Sequence, residues 1–130
     1  MTAYDDRLFS PPAPVVLVKL RKPQSESSRS EVPMLLDSGA DVTLLPQSVV
    51  DALGIERSDT RFELIAFDGT KSVSEVVHAE LVLPGRIFRG QFLLIDQEVG
   101  ILGRDILNHL SLLLDGPNLS WEERLSSQST

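Results

Sequence analysis

The chain has 130 residues, 42% hydrophobic and 24% charged, with a formal charge of -7 and no cysteine. That is the composition of one globular domain, not of a disordered chain. It excludes disulfides, thiol catalysis and cysteine-held zinc or iron–sulfur centres, and it argues against a nucleic-acid partner, which needs a basic face.

Residues 1–14 are proline-interrupted and acidic, without a signal-peptide core, and read as a flexible N-terminal arm. The β-branched run Val15–Leu20 predicts a strand. The serine-rich stretch from Arg21 to Glu31 reads as a long flexible loop, and the basic cluster Lys19, Arg21 and Lys22 as a solvated strand end. Val32–Leu36 is a short apolar strand running into Asp37-Ser38-Gly39, and Val42–Leu45 is a second strand. Pro46 opens a helix whose apolar face is Val49, Val50 and Leu53, and Gly54 ends it.

Beyond Phe62 the pattern is β. Phe62–Phe67 ends at the hairpin dipeptide Asp68-Gly69. Val73, Val77, Ala79, Leu81 and Leu83 then alternate with Ser72, Ser74, His78 and Glu80, a period of two over a long strand. Pro84-Gly85 turns the chain into Ile87–Ile95. Ile101-Leu102 stops at Gly103, Arg104–Leu110 predicts a short helix, and Leu112–Leu114 with Leu119–Glu122 predicts a hairpin. Residues 15–123 make the folded domain, and 124–130 read as a disordered tail. Many short strands with two short helices predict a mostly β fold, a closed barrel. No apolar run reaches the roughly 18 residues of a membrane span, so a cytoplasmic protein with no membrane contact is expected.

The chemistry concentrates in LLDSGADVTLLP, residues 35–46. A carboxylate placed directly after an apolar strand must be paired, hydrogen-bonded or protonated. Asp-Ser-Gly alone is an ordinary turn; its apolar flanks and the distant Ile-Leu-Gly make it specific. His78 and His109 share no motif, so neither a metal nor another cofactor is expected.

These motifs, with AFDGT and ILGRDIL, resemble the retropepsin family of single-domain aspartic proteases over roughly residues 15–121. The resemblance implies that Asp37 is the catalytic carboxylate. It implies further that Ser38 grips the partner loop and that Gly39 reaches the substrate through its backbone. Asp41 matches an acidic residue that pairs with Arg104, and Gly103 supports the loop. Ala40, Asp41, Phe67, Asp68, Gly69 and Thr70 would contact substrate, the last four in a flap over Phe67–Lys71. The C-terminal LLLDGPNLSWEE looks like the complete hairpin of the retropepsin domains of cellular ubiquitin-shuttle proteins, with Trp121 an interface anchor or a core aromatic.

The carboxylate count points the same way. Peptide hydrolysis by water needs one group to take a proton and another to give one. Two adjacent carboxylates do both because they cannot easily ionise together. The chain has a single Asp-Ser-Gly, so a dyad requires a homodimer with one Asp37 from each copy and an isologous interface. The expected partners are a second copy and an extended peptide substrate. The alternative is a catalytically weak or inactive dimeric peptide-binding module of the same fold.

Overall fold

The computed structural model describes residues 1–66 and 68–124; the expected flap residue Phe67 and residues 125–130 of the expected tail lie outside the described residues. Ten strands and two short helices follow in order: β1 (Thr2–Ala3), β2 (Val15–Arg21), β3 (Ser28–Leu36), β4 (Leu44–Pro46), α1 (Gln47–Ala52), β5 (Arg57–Ile65), β6 (Lys71–Leu83), β7 (Arg86–Ile95), β8 (Gly100–Leu102), α2 (Arg104–Leu107), β9 (Leu112–Asp115) and β10 (Ser120–Glu123). Six of the strands form a ring in the order β2-β3-β8-β4-β7-β6, closed by pairing of β6 with β2 from Lys19↔Val82 to Arg21↔Glu80. The expected closed barrel is present. Closure leaves β5 outside the ring, hydrogen-bonded along one edge to β6.

Alternation fills the barrel. Val77, Ala79, Leu81 and Leu83 of β6 are buried with Leu20, Met34, Leu45 and Leu102, and each valine, leucine or methionine among them contributes about 1.5–3 kcal/mol relative to exposure. Val73, in the same alternating series, is 64% exposed because its stretch of β6 pairs with β5 beyond the ring. Glu80 breaks the pattern in the other sense. It is buried, and its carboxylate accepts from Arg21 Nε at 2.6 Å and Arg89 Nε at 2.9 Å across the closing seam. Those bonds, Arg21's first, hold its carboxyl below the usual glutamate range.

Three local expectations change. The serine-rich stretch is a short turn: Arg21↔Ser28 and Leu20↔Arg29 extend the β2–β3 hairpin, and a register shift between Val18 and Leu20 accompanies Glu31 at φ 57°. Ladder bonds use the backbone, so polar side chains on the solvent face do not prevent pairing. The second helix stops at Leu107, because His109 and Leu110 donate to Ile106 and Leu107 in tight three-residue turns. The N-terminal arm does not hang free: Thr2–Ala3 pairs with β10, Tyr4 N–H donates to Leu119 O at 2.8 Å, and Asp5 bridges Ala13. Together β1, β10 and β9 form a separate three-stranded sheet. Trp121 is buried within its own chain, donating from Nε1 to Val15 O at 3.3 Å. No helix among the described residues is long and apolar enough to cross a membrane.

Candidate active site

β8 lies between β3, which it pairs in parallel (Leu35↔Ile101, Leu36↔Leu102), and β4, which it meets antiparallel at Leu44↔Ile101. The segment joining β3 to β4, residues 37–43, therefore has to wrap the end of β8. Two glycines make that possible. A Cβ on Gly103 would collide with the Val42 carbonyl, and one on Gly100 would stand 2.7 Å from Leu44 O.

Asp37 is the first residue of the wrap. Its N–H continues the β3–β8 ladder by donating to Leu102 O at 3.1 Å. The chain then turns, with Ala40 N–H donating to Asp37 O at 3.1 Å and Gly39 N–H to Asp37 Oδ1 at 2.9 Å. A Cβ on Gly39 would crowd that oxygen at 3.1 Å. Asp37 and Ala40 are half-buried, while Ser38, Gly39 and Asp41 are exposed. Among the described residues Asp37 Oδ2 has no hydrogen-bond donor, so it is free to accept from a water or a ligand.

The start of α2 holds the wrap from outside. Arg104 Nη1 donates to Ser38 O and Nη2 to Asp41 Oδ1, both at 2.6 Å. The backbone adds Arg104 N–H to Ala40 O at 2.9 Å and Asp105 N–H to Asp41 O at 3.3 Å. The structure thus brings Asp37, Ser38, Gly39, Ala40, Asp41, Gly103 and Arg104 into one hydrogen-bonded unit.

Two members of that unit were not singled out from the sequence. Thr43 has no exposed surface, and its N–H and Oγ donate to the two oxygens of Asp105 at 3.1 and 2.7 Å. Gly103 N–H donates in turn to Thr43 Oγ at 3.0 Å. A threonine inside the apolar run VTLL was the available signal, since a buried hydroxyl requires a partner.

The β5–β6 hairpin ends in a turn closed by Ala66 N–H to Thr70 O and Gly69 N–H to Ala66 O, both at 2.9 Å. Gly69 takes φ 86°, open to glycine at no steric cost. Thr70 donates to the Asp68 carboxylate, and its side-chain bond, ahead of its backbone bond, lowers the carboxyl below the usual range. The tip is exposed, and no hydrogen bond among the described residues joins it to the Asp37 loop. A cavity of about 90 Å³ is lined by Phe62 of β5 together with Val42, Thr43 and Asp105. His78 lies beside Gln91 and His109 against Phe88, on separate elements.

Residues 26–109 match the family model described as "gag-polyprotein putative aspartyl protease". No curated protein matches the sequence. Among solved structures, the EIAV protease complexed with the inhibitor HBY-793 is similar at 24% identity and a TM-score of 0.56, covering 75% of this chain and 86% of that one. A foamy viral protease-reverse transcriptase in complex with an RNA/DNA hybrid is similar at 9% identity and a TM-score of 0.53, covering 89% of this chain but 13% of that one. Both likenesses establish the fold. Neither carries the exclusion of nucleic acid drawn from the charge, since the second of these proteins is seen bound to it.

Proposed function

We propose that this chain, which belongs to the gag-polyprotein aspartyl protease family, is a homodimeric aspartic endopeptidase. The observation that carries this is the single Asp-Ser-Gly turn at the end of β3, with one Asp37 oxygen fixed by Gly39 N–H and the other without a donor among the described residues. One such carboxylate per chain requires two chains for a dyad. A second feature supports pairing: an apolar cavity of about 690 Å³ has Leu36 and Leu102 in its lining, beside the Asp37 loop, together with Leu112 and Trp121. A second copy would remove that surface from water.

In the dimer the two Asp37 carboxylates face each other and hold one proton. The ionised member takes a proton from a water between them as that water attacks the scissile carbonyl carbon, while the protonated member donates to the carbonyl oxygen. The tetrahedral intermediate collapses when the C–N bond breaks and the amide nitrogen gains a proton. Ser38 grips the partner loop, and Gly39, Ala40 and Asp41 line the substrate path. Asp68, Gly69 and Thr70, with Phe67, close over an extended peptide that adds as a strand.

A peptide-library cleavage assay of wild type against Asp37→Asn, with sedimentation at the assay concentration, tests this. The expected outcome is a dimer and a loss of turnover on the order of a thousandfold or more in the variant. Equal turnover in both proteins, or turnover by a strict monomer, would overturn the dyad. Tight peptide binding by wild type without cleavage would instead identify a binding module.

A further inference from the structure

We propose that Asp105 is a positioning residue for the reaction, acting through Thr43 to fix the Asp37 loop; this rests on the function proposed above. Two backbone N–H groups at the end of β8, those of Thr43 and Gly103, donate to side chains, to Asp105 Oδ2 and Thr43 Oγ respectively. Both residues are buried while Asp105 is exposed, so a water entering in place of its carboxylate would satisfy the donors without tying them to α2. Asp105 reaches in from the surface and supplies the missing acceptors. One oxygen takes the Thr43 N–H, and the other takes the Thr43 hydroxyl and its own neighbour's Ile106 N–H at 2.9 Å. The hydroxyl, its proton committed to Asp105, presents a lone pair to Gly103 N–H.

The consequence for Asp37 is geometric. Gly103 follows Leu102, whose carbonyl holds Asp37 N–H. Thr43 ends the wrap that begins at Asp37 and passes over Gly103 with no room for a methyl group. The relay Asp105–Thr43–Gly103 therefore sets how the wrap sits on β8. Asp105 is exposed too, but the Thr43 groups that it accepts from are buried, whereas Arg104 grips Ser38 O and Asp41 with the two charged side chains 43% and 83% exposed. Exposed ion pairs hold geometry weakly because water competes for both partners. Charge-assisted bonds to buried donors hold it better. The prominent arginine is thus the lesser of the two restraints on the dyad.

The test compares Asp105→Ala, Thr43→Val, Thr43→Ser and Arg104→Ala by steady-state kinetics, dimer dissociation and amide hydrogen exchange. Displacement of the loop by a fraction of an ångström to an ångström is expected to lower kcat about ten- to a hundredfold in Asp105→Ala and Thr43→Val. KM and the dimer constant stay near wild type, as for an interaction that matters in the transition state. Thr43→Ser, which keeps the hydroxyl, restores kcat, and Arg104→Ala loses less than either. Gly39 and Ala40 amides exchange faster in the order of the kcat losses. The assignment falls if Asp105→Ala keeps wild-type kcat, if Thr43→Ser is as impaired as Thr43→Val, or if Arg104→Ala has the largest effect. Should wild type cleave no peptide, the proposed function falls and exchange alone decides. Faster Gly39 and Ala40 exchange in Asp105→Ala upholds the positioning of the loop, and unchanged rates overturn it.

Discussion

The Asp37 loop and the β5–β6 hairpin are both short chain reversals between antiparallel strands, yet they are restrained in opposite ways. The loop is crossed by bonds from a distant part of the chain, at Leu102, Arg104 and Asp105, and two glycines let backbone pack on backbone. The hairpin tip is restrained by its own residues, Ala66, Asp68 and Thr70, and carries exposed Ile65 and Val73. The first arrangement fixes a carboxylate in space. The second permits opening at little cost, since few buried contacts must break. The proposed hydrolysis of an enclosed peptide would use both.

The contrast is most directly broken at the glycines. Gly103→Ala places a methyl group against the Val42 carbonyl and is expected to destabilise the protein by about 1–3 kcal/mol, as overpacking does; thermal or urea unfolding reads it, and a wild-type midpoint would show that the wrap yields easily. Gly69→Ala meets no atom within 4 Å and pays only for φ 86°, about 1 kcal/mol. Its cost is confined to the hairpin, so peptide KM should change more than the unfolding midpoint; the reverse would mean that the tip is part of the cooperative fold. Arg104→Ala removes an exposed clamp and is expected to cost about 0.5–1 kcal/mol. A loss above about 2 kcal/mol in the same unfolding experiment would reverse the ranking of the two restraints.

The smallest effect concerns the barrel seam that carries the fixed half. The Glu80 carboxyl is lowered in the folded state by Arg21 and Arg89. Its contribution to stability is therefore complete above the ordinary glutamate range and is lost as the pH falls through the lower folded value. Glu80→Gln should flatten that acidic limb of the stability-versus-pH curve and leave its shape near neutrality. An unaltered acidic limb would mean that other carboxylates govern the acid response.

The hairpin half was the more legible from sequence. Asp68-Gly69, Pro84-Gly85 and the alternation from Val77 to Leu83 are local signals, and the structure turns or buries the chain where they stand. The Asp37 turn and the Arg104 helix start were also visible as motifs. The partnership of Thr43 with Asp105 was not, because its members lie 62 residues apart and each is unremarkable alone. The β1–β10 pairing and the extension of β3 through Ser28 escaped for a related reason: backbone pairing ignores the polarity of solvent-facing side chains.

The residue order by itself determined the strand periodicities, the turns, the family and the one carboxylate available to each chain, since these depend on neighbours along the polymer. Only the folded barrel decided which carbonyls and hydroxyls meet that carboxylate's loop, that Glu80 is buried between two guanidinium groups and that Val73 is not buried. Those outcomes depend on how the sheet closes, and closure brings together groups whose separation along the chain leaves no mark on local pattern.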